Sequence, residues 1–298
     1  MSWLQTLSDA EWPLIEDFMP SSEGRRGRRF SDHRLVVEGI IYRYRTGIAW
    51  RDLPAEFGPW QTVWKRHRRF AGDGTWDKVL TVLLTRADAI GEIDWDVAVD
   101  STIARAHQHA TNTRRLAGGS FELHDAETRA GGSCDRAIAW RSVDEGPSGV
   151  RRQGTSPGHR GRAGARQRLE DVPVPARCGS GPRDGAGRPR PTPNAVLADK
   201  AYSSRAHRTL LRSRGITAVI AEPRDQQANR KRRGSRGGRP PLTDPGRYAK
   251  RHVVENSFER FKQWRGLATR YDKLASTYRA AVLLRGILLW LPALTEGD

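Results

Sequence analysis

The chain of 298 residues is long enough to bury one large domain or two smaller ones, and its formal net charge is +18. Such a field favours a polyanionic partner, usually nucleic acid, although a protein with many solvated arginines would carry the same charge. The two cysteines exclude a cysteine-built metal cluster and a disulfide framework, which fits a reducing cytoplasm. The first residues lack the basic start and apolar run of a signal peptide, so we expect no membrane role.

Residues 1 to about 90 predict four helices. Ser8 is a suitable cap for the first, and the next three are expected at about 33–44, 61–70 and 76–90. Glycine and proline residues end the second helix and turn the chain towards the third: Gly47, Pro54, Gly58 and Pro59. This order predicts an all-α N-terminal domain.

A turn followed by a basic helix is the layout of a helix-turn-helix DNA reader. Trp64 and Phe70 would anchor the third helix to the core. The cations of the same helix would face phosphates or base edges: Lys65, Arg66, Arg68 and Arg69. A helical bundle with a charged face is the alternative that the sequence leaves open.

The middle segment, 113–192, differs from both neighbours because it is dense in glycine, proline and arginine and poor in apolar residues. It shows no strand alternation, and both cysteines, Cys134 and Cys178, fall inside it. Its composition predicts a disordered or poorly packed segment.

From about residue 194 the pattern alternates between strand and helix, which predicts an α/β fold. The apolar runs AVLAD and ITAVIAE predict two strands, separated by a helix that Gly215 ends. One long helix is expected from RYAKRHVVENSFERFKQWRG. The apolar stretch from Ala280 to Leu294, interrupted by Arg285, is too short to span a bilayer and predicts a buried helix.

Three carboxylates occupy settings that suit metal-ion chemistry. Asp100 and Asp199 each end an apolar run, where a strand would deliver them to the edge of a sheet, and Glu255 lies on the expected long helix. Such oxygens are ligands for Mg²⁺, and three converging acids could hold two ions about 4 Å apart. Taken singly, each acid has an ordinary alternative: an Asp after a strand is often a cap or turn former, and Glu255 could simply pair with Arg251.

The spacing on the expected long helix is specific, since Tyr248, Arg251, Glu255 and Lys262 are separated by two, three and six residues. It is similar to the tyrosine-arginine-glutamate-lysine signature of DDE-type bacterial insertion-sequence transposases. VDSTIARAHQHA and VLADKAYSS look like the segments that carry the first and second aspartates of that family. GIAWRDLPAEFGPWQTVWKRHRRF, GSRGGRPP and RGLATRYDK resemble the insertion sequence five family in particular. The resemblance covers roughly 1–112 and 193–296.

The resemblance implies a helical DNA-binding domain over 1–90 and a ribonuclease H-like catalytic domain, a mixed sheet with helices, over 91–298. Asp100, Asp199 and Glu255 would bind two Mg²⁺ ions, with Mn²⁺ as a substitute. Tyr248, Arg251 and Lys262 would hold DNA, and the last two offer donors to phosphate oxygens.

The implied enzyme cuts double-stranded DNA at the terminal inverted repeats of its element and joins the ends to target DNA. Because pairing two ends calls for more than one subunit, we expect a homo-oligomer on DNA, in the cytoplasm and associated with the nucleoid. A catalytically inactive DNA-binding remnant of a transposase and a nuclease that only hydrolyses DNA are the alternatives.

Weaker candidates remain. The basic run that holds Arg236 and Arg239 suits nonspecific phosphate binding, and a solvated linker is its alternative. His107 and His109 could contact DNA or be loop residues, because two ligands make only half a zinc site. Asp272 is expected to form a structural turn after the long helix.

The sequence departs from the family between Asp100 and Asp199. The expected second and third strands of the sheet are missing, and an Arg/Gly/Pro-rich block replaces them. Two compensating frameshifts would explain a match that is lost and then recovered. Translating the gene in its other frames tests this hypothesis, and finding no family-like strands there contradicts it.

Overall fold

The computed structural model describes residues 6–21, 30, 32–100, 102–107, 110, 140–141, 192–241 and 244–295. Apart from 140–141 and 192, the segment 113–192 lies outside the described residues, and so do both cysteines and His109. The predicted disorder of that segment therefore stays a prediction.

The N-terminal region is helical, as the sequence predicts: α1 (Pro13–Glu16), α2 (His33–Thr46), α3 (Trp60–Gly72) and α4 (Thr75–Ala89). Ser8 does not cap α1, whose N-cap is Trp12 without a side-chain hydrogen bond. The Ser8 hydroxyl instead accepts from the Glu11 backbone N–H, and the Glu11 carboxylate accepts from the Ser8 N–H, in the turn that precedes this helix. Asp32 caps α2 by accepting from two backbone N–H groups. Gly47, at φ 74°, ends α2 in the left-handed conformation that favours glycine.

A parallel three-stranded sheet follows, in the order β1-β5-β6: β1 (Asp96–Val99), β5 (Ala195–Ala198) and β6 (Thr217–Ile220). The middle strand is buried along its whole length, which explains its continuous apolar sequence. Two further parallel pairs are short: β2 (Thr102–Ile103) with β4 (Trp140–Arg141), and β3 (Arg105–Ala106) with β7 (Thr269–Arg270). The predicted α/β pattern is thus confirmed over these residues.

The remaining helices are α5 (Arg205–Ser213), α6 (Arg224–Arg232), α7 (Pro245–Ala249), α8 (His252–Lys262), α9 (Arg265–Ala268) and α10 (Ala275–Thr295). Leu211 of α5 packs on one face of the sheet, and Tyr248 of α7 packs on the other. α6 contributes no buried residue, because its sequence RDQQANRKR is polar on every side.

Both ends of the chain build one helical core. Phe70 and Trp76 of the N-terminal helices share an apolar cluster with Leu267 and Leu284 from the C-terminal helices. By length and composition α10 could cross a membrane, but 56% of its most apolar window is buried inside the protein. The expected buried helix is therefore confirmed, and it is longer than the apolar stretch that predicted it.

A buried polar cluster ties the same two regions together. Asp272 accepts hydrogen bonds from Arg43 Nη1 at 3.1 Å and from the Tyr44 hydroxyl at 3.0 Å. His67 Nε2 lies 2.9 Å from the Tyr44 oxygen and 3.2 Å from the Thr277 carbonyl oxygen. Asp272 is thus a structural residue, as expected, and its partners lie in the N-terminal helices.

Candidate active site

Asp100 and Asp199 follow neighbouring strands at the same sheet edge. Val99 is paired with Ala198 in the parallel register, so the next residue of each strand is one of the two aspartates. Adjacent strands lie about 5 Å apart, which places the two carboxylates side by side. Asp199 also precedes a short 3₁₀ turn, but its side chain makes no capping hydrogen bond there. The alternative of Asp199 as a helix cap is therefore not supported.

Arg251, which directly precedes α8, links Glu255 to this edge. Its Nη2 donates to Glu255 Oε1 at 2.8 Å, and its Nη1 lies 3.5 Å from Asp100 Oδ2. Asp199 is close enough for its charge to act on the same guanidinium. The structure therefore brings the predicted acids together around one cation.

The electrostatics of this edge favour charged side chains. A hydrogen bond from His252, followed by the charge of Arg251, lowers the pKa of Glu255 below its ordinary value. Burial disfavours the charged form of Arg251, but Glu255, Asp100 and Asp199 outweigh this effect and raise its pKa. Glu255 thus stays ionised at neutral pH, and Arg251 is held by attraction to acids from three separate elements.

The approach to Glu255 is anchored by contacts that the sequence did not reveal. Arg247 forms a fork to Asp96, with Nε 3.1 Å from Oδ2 and Nη2 3.3 Å from Oδ1. Lys250 Nζ lies 2.8 Å from Asp94 Oδ2. Acids just before Asp100 and cations just before Glu255 were the only available signal, and a pattern of charges alone does not show which of them pair.

The expected single long helix is wrong in detail, because the structure divides it into α7, α8 and α9. Between α7 and α8 the backbone keeps helical dihedral angles but tightens to bonds between residues three apart, such as Arg251 N–H to Tyr248 O and Val254 N–H to Arg251 O. α8 ends at Lys262, and Trp264 takes an extended conformation before α9. The chain does not continue as one helix because Trp264 and Gly266 are buried in the protein at this point.

Among the described residues, no three His, Cys, Asp or Glu side chains stand close enough to hold one ion as they are. Arg251 is paired with two of the three acids. The His107 backbone N–H donates to the Arg270 carbonyl, and the centre of its ring lies 5.0 Å from that of Tyr271, with the two planes tilted by 37°. These contacts fit a loop residue.

The cations predicted on α3 separate into two groups. Lys65, Arg68 and Arg69 are exposed and remain able to reach a phosphate. Arg66 is only 6% exposed, with its guanidinium 3.6 Å from the centre of the Phe30 ring, so the expectation that it faces DNA does not fit. Burial, followed by the charge of Arg69, lowers the pKa of Arg66 to about 10. The cation packs against aromatic rings instead of facing solvent.

The anchors of α3 behave as expected only in part, since Phe70 is fully buried and Trp64 is half-buried beneath Arg68. Residues 47–59, with two short 3₁₀ turns, connect α2 to α3. That connection is longer than the three- or four-residue turn of a helix-turn-helix, so the motif stays a prediction. We call the sheet edge that carries Asp100 and Asp199, together with Arg251 and Glu255 beside it, the acid edge. The other predicted DNA contacts, which lie outside it, are exposed: Lys262, Arg236 and Arg239.

Comparisons with known proteins identify the family of the chain. Residues 7–80 match a family model described as "Putative transposase of IS4/5 family (DUF4096)", and residues 196–292 match one described as "Transposase DDE domain". The chain is 40% identical over 114 residues to the "Uncharacterized protein y4sN" of Sinorhizobium fredii, a match that covers 38% of this chain and 86% of that protein. It is 38% identical over 107 residues to the "Insertion element IS402 uncharacterized 16.2 kDa protein" of Burkholderia cepacia, covering 34% and 73%. No solved structure matches the chain significantly.

Proposed function

Because this chain belongs to the IS4/5 family of DDE transposases, we propose that it cuts double-stranded DNA at the ends of its element and joins them to target DNA. The observation that carries the proposal is the gathering of Asp100, Asp199 and Glu255 around Arg251 at one sheet edge. A single edge where acids that follow two strands meet an acid on a helix could hold the two metal ions that assist in-line displacement at phosphorus.

The donor set fits divalent magnesium. Asp100, Asp199 and Glu255 offer only carboxylate oxygens, all partly accessible, which hard cations of this kind prefer. We assign these residues as ligands of two Mg²⁺ ions, replaceable by Mn²⁺. When bound, the ions would activate a water or a 3′-hydroxyl and stabilise the departing 3′-oxygen.

Arg251 would change partners during the reaction. In the structure it neutralises carboxylates that would otherwise repel one another. Once those carboxylates hold a cation of their own, its guanidinium can turn its donor fork to a phosphate of the DNA. Tyr248, which was expected to contact DNA, is instead partly buried against the sheet, where it would keep the helix in place during that exchange.

DNA would lie along the exposed cations around this edge and on α3. Lys262 follows Glu255 on α8, and the basic loop after α6 carries Arg236 and Arg239. Lys65, Arg68 and Arg69 would contact the terminal repeats or their phosphates through a helix-turn-helix-like domain. We expect a homo-oligomer on DNA, in the cytoplasm and associated with the nucleoid.

We further assign the sheet to a ribonuclease H-like catalytic domain over 91–298, preceded by the DNA-binding domain over 1–90. Parallel strands in the order β1-β5-β6, with an acid after each of the first two, support that assignment. The C-terminal helix nevertheless shares its core with the N-terminal helices, which would hold the two domains together.

The test uses the purified full-length chain with Mg²⁺ or Mn²⁺ and DNA that carries the element's ends. Nicking that needs the metal and is lost in Asp199→Ala is expected, together with joined products on a supercoiled target. Glu92→Ala is the matched control, because Glu92 is an exposed acid that precedes β1, at the opposite end of that strand from Asp100. Nicking without joining would favour the nuclease, and binding without nicking would favour the inactive remnant.

A further inference from the structure

We propose that Arg247 and Asp96 are positioning residues that set Glu255 against Asp100, a role that rests on the function proposed above. Arg247 forms a bidentate ion pair with Asp96, with two of its nitrogens 3.1 and 3.3 Å from the two carboxylate oxygens. Forked pairs of this kind fix orientation as well as distance, which a single contact does not.

Burial distinguishes this pair from its neighbour. The Asp96 side chain is only 5% exposed, so its charge requires a fixed partner, and Arg247 is the partner that the structure provides. The Lys250–Asp94 pair joins the same two elements, but both side chains are more than half exposed and water screens the attraction. The Arg247–Asp96 pair is therefore better suited than the Lys250–Asp94 pair to hold the helix in place along the strand.

The Arg247–Asp96 pair fixes the start of this helical stretch against β1. The Arg251–Asp100 contact, at 3.5 Å and with both side chains more accessible than Asp96, is the one that can exchange partners. Because the backbone keeps helical dihedral angles between α7 and α8, the position of Arg247 determines where Glu255 lies. An error of about 1 Å in a reacting group can cost about 100-fold in rate, so this anchor matters to the geometry of the edge.

The experiment measures Mn²⁺ affinity of the full-length protein without DNA, from the electron paramagnetic resonance signal of free Mn²⁺. Asp199→Ala should abolish Mn²⁺ binding at this site. Arg247→Ala should lower the Mn²⁺ affinity of the same site by about 10- to 100-fold, which is the loss expected when a residue that orients metal ligands is removed. Arg247→Lys keeps the charge without the fork and should recover part of the loss. Lys250→Ala is the matched control and should stay within about 2-fold of wild type, because its pair is exposed.

Thermal unfolding of each variant separates positioning from simple destabilisation. A lower melting temperature with unchanged Mn²⁺ affinity in Arg247→Ala would overturn the positioning role, and so would an equal loss of affinity in Lys250→Ala. Asp96→Asn, nearly isosteric, gives the same test if Arg247→Ala does not fold. A wild-type chain that binds no Mn²⁺ would overturn the proposed function and this role together, whereas binding that Arg247→Ala leaves intact would overturn this role alone.

Discussion

Two Arg–Asp pairs in this molecule do different work, because water reaches one and not the other. Arg43 and Asp272 have side chains only 3% and 6% exposed, whereas Arg251 and Asp100 are 17% and 24% exposed. The first pair joins the N-terminal helices to the segment before α10, and the second joins α8 to the sheet. A buried pair of this kind is fixed, while a pair that solvent partly reaches can exchange its partners.

The surroundings of the two pairs reinforce that contrast. Asp272 also accepts from Tyr44, whose oxygen faces His67, so every member of the buried cluster depends on the others. Arg251 instead carries one positive charge against three nearby carboxylates, those of Glu255, Asp100 and Asp199. We infer that the buried cluster maintains the fold and that the acid edge is kept ready to bind cations.

The largest expected effect comes from breaking the buried pair. Asp272→Ala leaves the Arg43 charge uncompensated and the Tyr44 hydroxyl without its acceptor, which should cost about 3–5 kcal/mol in the free energy of unfolding. Urea denaturation followed by circular dichroism measures this. Asp77→Ala is the control, since its pair with Arg279 is partly exposed and should be worth about 1 kcal/mol or less. Similar losses in both variants would contradict the distinction by burial.

The next effect is a pH dependence that belongs to the buried cluster. Burial is the main cause that lowers the pKa of His67 from 6.5 to about 4, and Nδ1 has no hydrogen-bond partner among the described residues. The unfolded chain therefore binds a proton that the folded chain excludes, so stability falls as the pH drops from about 6.5 towards 4. Between pH 7 and pH 5 this contributes about 2 kcal/mol.

His67→Gln removes the titrating group while keeping a donor towards Tyr44. Its free energy of unfolding should therefore depend less steeply on pH over this range than that of the wild type, by the same 2 kcal/mol or so. Denaturant titrations of both proteins at pH 5 and pH 7 test it, and parallel pH profiles would show that His67 is not the group responsible.

A smaller loss is expected where α9 packs on α2. A Cβ at Gly266 would lie 2.9 Å from the Tyr44 carbonyl oxygen, and the backbone cannot rotate away as a side chain could. Gly266→Ala should cost about 1–3 kcal/mol. At Gly286, within α10, a Cβ would meet only Phe261 Cζ at 3.9 Å, so Gly286→Ala should be neutral or stabilise by up to about 1 kcal/mol. Melting temperatures that move together would be evidence against this close packing.

The acid edge should show the smallest effect on stability. Asp199→Ala removes one of several mutually repelling carboxylates that Arg251 neutralises only in part, so the free energy of unfolding should change by about 1 kcal/mol or less. Thermal unfolding in the absence of divalent ions measures this. Destabilisation as large as that of Asp272→Ala would mean that Asp199 is a structural residue like Asp272.

The sequence predicted the helix ends and strands that depend on residues close together along the chain. The stop at Gly47 was located correctly, and so were the strands that precede Asp100 and Asp199, whereas the cap predicted at Ser8 lies in the turn before α1. These features follow from local backbone chemistry and hydrophobic patterns. The resemblance to a family placed Glu255 with the two aspartates, which the pattern of charges alone could not do.

Contacts between distant residues were not predictable in the same way. Arg66 looked like its neighbours on α3, and only the tertiary packing of Phe30 and His33 shows why it is buried. Asp272 binds Arg43, 229 residues away along the chain, and no local signal encodes that distance. The pairing of Arg247 with Asp96 likewise depends on how the helix crosses the strand.

The most direct test of the central claim locates the metal on the polypeptide itself. Fe²⁺ bound in place of Mg²⁺, with ascorbate and peroxide, generates radicals that cut the chain close to the ion. Cuts near residues 100, 199 and 255 together, competed by Mg²⁺ and absent in Asp199→Ala, are the predicted result. Cuts at only one of these positions, or a pattern that Asp199→Ala leaves unchanged, would contradict a shared site at the edge of the sheet.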